Sequence, residues 1–120
     1  MRKTLVIGAS EQTDRYSNKA IVSLLKHHHP VVAIATRPGK VDAVNFLTTK
    51  EELSDIDTVT LYINSTVQND YIDYILSLHP KRVIFNPGTE NPAFYEMLKK
   101  SGIEATEACT LVLLSTDQYE

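Results

Sequence analysis

Thr4-Leu5-Val6-Ile7-Gly8-Ala9-Ser10 decides how this chain is read. A β-branched apolar run ends in a glycine turn and leads, within a few residues, to the amphipathic spacing of Ile21, Leu24 and Leu25. Strand, tight turn and helix in that order open an α/β unit of the nucleotide-binding kind. A strand that delivers the chain to a helix N-terminus aims unpaired backbone N–H groups and the positive end of the helix dipole at one point, where a phosphate is stabilised. Gly8–Ser10 is therefore a candidate diphosphate cradle. A dinucleotide fingerprint has glycines at its first, third and sixth positions, and here Ser10 and Thr13 stand at the second and third of these. Ser10 puts a hydroxyl where bare backbone is usual, and that hydroxyl can itself donate to a phosphate. On local grounds alone, the same turn also serves as a strand-to-helix corner without a ligand.

Outward from this turn, apolar runs and helical patterns alternate. Val31–Ala35 reads as a second strand and is followed by the polar turn Arg37-Pro38-Gly39-Lys40, completing a βαβ unit. The second half repeats the logic, with Thr58–Ile63 as a strand, Tyr71, Ile72, Ile75 and Leu78 as a helical stripe, and Arg82–Phe85 as the next strand. Asn91 as N-cap, Pro92 at the first helical position, Lys99 and Lys100 at the negative end and Gly102 beyond it mark a further helix. Between the halves, a short strand near Val44–Phe46 precedes Thr49 and Glu52, whose capping-box spacing predicts a short helix around Lys50–Leu53. Ile103–Thr106 reads as an edge strand, and Cys109–Leu114 fits a short helix or another strand. Right-handed crossovers through these units predict an α/β fold: a doubly wound, mostly parallel, Rossmann-like sheet in a single three-layer domain over residues 1–120. Ligands in such sheets sit at the carboxyl ends of the strands, where Gly8–Ser17, Thr36–Lys40, Asn64–Thr66 and Asn86–Asn91 converge.

Composition narrows the partners. A chain of 120 residues fills one core, and a formal charge of −3 with a pI near 5.8 supplies no basic field, so no nucleic acid is expected. No apolar run approaches a membrane span, and the one after Arg2 and Lys3 is far shorter than a signal-peptide core; no membrane partner is expected, and a cytoplasmic setting is. Cys109 is the only cysteine, which excludes an intrachain disulfide and a cysteine-clustered zinc site and fits a reducing compartment. His27-His28-His29 does not suggest a metal site, because adjacent helical residues point about 100° apart and three imidazoles do not converge. Their place at a helix end before Pro30 suits the dipole instead.

Taken together, four stretches resemble the small stand-alone CoA-binding proteins, relatives of the CoA-binding domain of the succinyl-CoA ligase α subunit. They are Gly8-Ala9-Ser10 with Arg15-Tyr16-Ser17 behind it, Thr58–Asn64, Lys81–Asn91 with its Asn86-Pro87-Gly88-Thr89-Glu90-Asn91, and Glu107-Ala108-Cys109-Thr110. The likeness covers nearly the whole chain. Arg37-Pro38-Gly39-Lys40 is also similar to a Pro-Gly-Lys loop of the ligase domain that contacts CoA, whereas Glu11-Gln12-Thr13-Asp14 departs from a loop in which the family tends to have a proline. The resemblance implies coenzyme A as a small-molecule nucleotide ligand. It implies Gly8, Ala9, Ser10 and Arg15 at the diphosphate with Tyr16 and Ser17 beside them, Arg37, Pro38 and Lys40 at the ribose phosphate or adenine end, and Asn64, Asn86, Pro87, Gly88 and Thr89 along the pantetheine path.

Several of these residues have a plainer reading: Ser17 as a helix cap, Arg37 and Lys40 as a solvated basic turn, Asn86-Pro87-Gly88 as a turn, and Cys109 as an inert buried thiol, not one that exchanges with CoA. The end of the second strand discriminates between nucleotides. NAD sites place an acid there, whereas Arg37 suits a ribose phosphate, either the 2′-phosphate of NADP or the 3′-phosphate of CoA. No base beside a nucleophile, carboxylate pair or metal set stands out, so the expectation is a non-catalytic binding module. The runners-up are a small NADP-dependent or acyl-CoA-processing enzyme completed by a partner chain, and a ligand-free regulatory subunit. A homodimer or partner protein has Tyr62, Tyr71, Tyr74, Phe94, Tyr95 and Tyr119 as interface candidates, if these are not core.

Overall fold

β1 (Thr4–Ile7) runs through the middle of a seven-stranded sheet in the computed structural model, which describes residues 1–120. All four of its residues are buried. A central strand covered by helices on both faces has no solvent side to fill with polar residues, hence the continuous apolar run. The other strands are β2 (Val31–Ile34), β3 (Lys40–Val41), β4 (Val44–Leu47), β5 (Thr58–Leu61), β6 (Arg82–Phe85) and β7 (Glu104–Glu107). Their spatial order is β3-β4-β2-β1-β5-β6-β7, parallel throughout except for the β3–β4 hairpin. With β3 set aside, this is the doubly wound Rossmann-like order, whose winding reverses between β1 and β5. Ile7 and Leu61 are register partners at the carboxyl ends of those two strands, and the crevice opens above them.

Strand parity sorts the core into two layers. Leu5 and Ile7 pack with Ile75 of α3 (Ile72–Leu78) and with Phe94 and Leu98 of α4 (Pro92–Lys100). Val6 faces the other way, onto Ile21 and Leu24 of α1 (Tyr16–Lys26), Leu114 of α5 (Thr110–Ser115) and Tyr119. Phe85 joins the first layer edge-on to Phe94 and Tyr95, with ring centroids 5.6 and 4.5 Å away. A one-turn helix, α2 (Ser65–Gln68), precedes α3. The apolar run over Cys109–Leu114 resolves as α5. No helix is long and apolar enough to cross a membrane.

Two local expectations are corrected. The helix around Lys50–Leu53 does not form; residues 48–57 are irregular. Tyr74 donates its hydroxyl to the Glu51 carbonyl at 2.6 Å, and Lys3 Nζ reaches the Ser54 carbonyl at 2.9 Å, so distant side chains satisfy this backbone. Leu53 and Ile56 are the two residues of this stretch that pack on the core, and both do so from irregular backbone. Lys40, expected in a polar turn, instead opens β3, which folds back on β4 through Asp42 at φ 51°. Both sheet edges end in charge, with Lys40 exposed on two-residue β3 and Glu104 and Glu107 exposed on β7.

At the amino ends of the strands, away from the crevice, His29 is only 3% exposed, and its Nδ1 accepts the Arg2 backbone N–H at 2.9 Å. Its ring lies 4.8 Å from Tyr119, which is covered on another side by the Arg82 guanidinium at 4.3 Å. An accepting Nδ1 requires the neutral ring, and burial holds the His29 pKa below its ordinary value of 6.5. The unfolded chain therefore binds the proton first as the pH falls. The stabilisation from neutral His29 is complete above the unfolded pKa of 6.5 and is lost as the pH drops from there toward the folded value. Urea midpoints measured from about pH 7.5 down to about pH 5.5 are expected to fall for the wild type, and His29→Asn, which keeps an acceptor without the titration, to flatten that fall.

Candidate functional site

At the carboxyl end of β1 the chain needs glycine for two reasons. Gly8 has φ +99°, and a Cβ there would stand 2.9 Å from the Tyr62 carbonyl oxygen and 3.1 Å from Ile63 Cγ2. The close approach lets β1 and β5 end side by side, with Tyr62 N–H donating to the Ile7 carbonyl at 2.9 Å. The Gly8 and Ala9 N–H groups then both donate to the Ile34 carbonyl of β2, each at 3.0 Å. Two of the three amides expected to cradle an anion are thus occupied by the sheet, and the Ser10 N–H is left without a protein acceptor. Ser10 Oγ accepts from Gln12 N–H at 3.1 Å, which leaves its hydroxyl proton free to donate outward. Asn18 Nδ2 holds the Ser10 carbonyl at 3.0 Å, tying the loop to α1.

The start of α1 is open. Arg15 occupies the N-cap in an extended conformation and makes no side-chain cap. The N–H groups of Tyr16, Ser17 and Asn18 therefore have no protein acceptor. Ser17 is not the cap; it lies buried within the first turn.

A cavity of about 810 Å³ occupies this corner, bounded by the β1–α1 loop, the segment from Ala35 to Pro38 after β2, and Tyr62 after β5. That volume falls within the roughly 300–1,000 Å³ of small-molecule pockets. Its charges are mixed: Arg15 and Arg37 face Glu11 and Asp14. Arg15 Nε is oriented by Gln12 Oε1 at 3.0 Å. The three ion pairs of the structure gather around Asp57 and Glu120, so neither Arg15 nor Arg37 has a carboxylate within 4.0 Å. Tyr62 forms one wall, and burial pushes its phenol up to about 12, so it remains a neutral donor across the physiological range. Tyr16 stands on the rim with 68% of its surface exposed.

The sequence model of the CoA binding domain family matches residues 2–115. This chain belongs to that family. The chain is also similar, at 44% identity and a TM-score of 0.97, to the crystal structure of an uncharacterized protein, covering 99% of this chain and 98% of that one. A conserved hypothetical protein from Pyrococcus furiosus is 20% identical with a TM-score of 0.79, covering 93% of this chain and 99% of its own. A Thermus thermophilus protein is 18% identical with a TM-score of 0.83, covering 98% and 91%. These two distant likenesses speak for the fold alone. Among curated proteins, none matches the chain.

Of the residues singled out in the sequence, the fold brings Gly8, Ala9, Ser10, Arg15, Tyr16, Ser17, Arg37 and Pro38 together around the cavity. Lys40, Asn64, Asn86, Pro87, Gly88 and Thr89 do not line it, and most of them have structural work elsewhere. Asn64 Oδ1 caps α2 by accepting from Val67 N–H at 2.9 Å. Asn86, 2% exposed, donates from Nδ2 to Thr60 Oγ1 at 2.7 Å and to the Leu61 carbonyl at 2.9 Å, while its Oδ1 accepts from Thr110 N–H at 2.9 Å. Thr89 closes on the Asn86 carbonyl at 2.7 Å, and Pro87 and Gly88 sit exposed between them. Glu11, Gln12, Asp14 and Thr36 line the cavity from within the two loops expected at the ligand edge without having been singled out as contacts, and Tyr62 and Ala35 line it from outside those loops. Tyr62 directly follows the β5 run and was open to the same strand-end argument as Gly8; nothing local marks Glu11.

Asn86→Ala removes three hydrogen bonds and strands the buried Thr110 N–H, for which the expected cost is about 2–4 kcal/mol in urea unfolding. A loss below about 0.5 kcal/mol would sink the structural assignment.

Proposed function

We propose that this domain binds coenzyme A as a non-catalytic module, with the nucleotide end of the ligand in the cavity beside β1 and β5. One observation carries the reading: Arg15 and Arg37, two cations without carboxylate partners, line a cavity into which the uncapped start of α1 opens. Donors left unspent in a folded protein suit an anion from outside, and CoA brings a diphosphate and a ribose phosphate.

In this reading the diphosphate takes the Ser10 N–H, the Ser10 hydroxyl, the first-turn amides of α1 and Arg15. Gly8 and Ala9 contribute shape and not donors, since their amides are committed to Ile34. Arg37, on the turn that continues to Lys40, meets the ribose phosphate, where a planar guanidinium gives two parallel hydrogen bonds. The uncharged pantetheine arm then follows the carboxyl edge of the sheet past Tyr62, after β5, toward the exposed Pro87-Gly88 turn after the neighbouring β6. A phenol whose pKa lies at about 12 serves there as a donor and not as a base, which fits holding a ligand better than turning it over.

Isothermal titration of nucleotide-free protein with CoA, dephospho-CoA, NAD and NADP tests this. CoA is expected to bind most tightly and to lose about tenfold without its 3′-phosphate. Arg15→Ala should weaken CoA and dephospho-CoA alike, and Arg37→Ala should abolish the preference between them. A preference for NADP would shift the reading to its 2′-phosphate, which Arg37 at the end of β2 also suits. Absence of heat and of thermal stabilisation with CoA would overturn it.

A further inference from the structure

The cavity offered to an anion already holds one of its own. Glu11 belongs to the β1–α1 loop, yet its side chain crosses to the β2–β3 turn, where Oε2 accepts the Lys40 backbone N–H at 2.9 Å across 29 residues of sequence. Gly39 makes room for this crossing. A Cβ at position 39 would stand 2.7 Å from Glu11 Cδ and 2.9 Å from Cγ. Gly39 has no positive φ, so its bare Cα serves here as the floor on which the Glu11 side chain lies, and a Cβ would push that side chain aside. The carboxylate comes to rest on the turn that carries Arg37 and Lys40 without an ion pair to either within 4.0 Å.

We propose that Glu11 is a specificity-determining residue: its carboxylate occupies the Lys40 amide, where a ribose phosphate on this turn would bind, and so weakens phosphorylated relative to unphosphorylated ribose ligands. The inference rests on the CoA reading above. One N–H serves one strong acceptor. A ligand phosphate must either displace the carboxylate, losing a charge-assisted hydrogen bond, or settle beside it against like-charge repulsion. Both penalties fall on the ribose phosphate and spare the diphosphate, whose donors lie at Ser10 and α1. A ligand lacking the ribose phosphate leaves the Glu11–Lys40 contact intact. A purely mechanical clasp between the two loops would need only an acceptor oxygen of the right reach. Glu11→Gln separates the two roles, because the amide keeps the oxygen and the length and removes the charge.

Titration of wild type and Glu11→Gln with CoA and dephospho-CoA, followed by the Lys40 amide resonance, is the test. The variant is expected to bind CoA about 3–10-fold tighter and dephospho-CoA within about twofold of wild type, with the gain shrinking toward about 0.5 M salt. An equal change for both ligands, or weaker CoA binding, overturns the inference. Should neither protein take CoA, the reading of the previous subsection falls, and adenosine 3′,5′-bisphosphate decides this one. A Lys40 amide shift at lower ligand concentration in the variant supports it, and equal or absent shifts in both proteins overturn it.

Discussion

A single carboxamide closes half of the sheet's carboxyl edge. Asn86 ties the end of β6 to Thr60 and Leu61 of β5 and to the first amide of α5, while Thr60 and Thr110 share a hydroxyl contact at 2.8 Å. The network continues through Thr89 to Gln68, whose amide donates to the Thr89 and Ile63 carbonyls, and through Gln68 Oε1 to Asn91 at the cap of α4. Strand ends in a parallel sheet leave polar backbone to be satisfied, and buried side chains do so here with nearly every valence used. The other half of the edge is left differently. Beyond β1 and β2 the loops retain donors that no protein group accepts. The two halves divide the labour: one is rigid because its polar groups are satisfied internally, and the other is receptive because its own are not.

Much of this was legible from local pattern. The β1 run, its glycine turn and the helix behind it read correctly because burial on both sheet faces imposes continuous apolar residues and the tight turn after them needs glycine. Asn91-Pro92 at the start of α4 read correctly because a cap is a contact between near neighbours. What escaped was decided by distant residues. Thr49 and Glu52 have the spacing of a capping box, but the Glu51 carbonyl is taken by Tyr74, more than twenty positions away. The Gly8 and Ala9 amides looked available until β2 brought Ile34 against them. Asn86 and Thr110 lie in stretches that carried the family resemblance, and geometry shows them bonded to each other in the core, so a recognisable string records a folding requirement as readily as a binding one.

The electrostatics of the corner follow from its small size and from a chain that is acidic overall. A net charge of −3 supplies no general attraction for a polyanion, so any affinity must come from a few local donors. Arg15 is held in place by a neutral amide and Arg37 by nothing ionic, which leaves both charges undiminished at the cavity. Glu11 and Asp14 oppose them within the same wall. Such a site has charges of both signs in one lining, with its two cations unpaired.

The edges of the sheet carry a consequence for association. A strand with a free edge invites pairing with a second copy, and long, flat, apolar edges are the ones that oblige. Here one border is two residues of β3 beginning with an exposed lysine, and the other is β7, whose terminal glutamates would be brought toward each other's like charges if two copies joined in parallel register. Like charge therefore disfavours joining two copies edge to edge through β7, and the brevity of β3 leaves little ladder to extend on the other border.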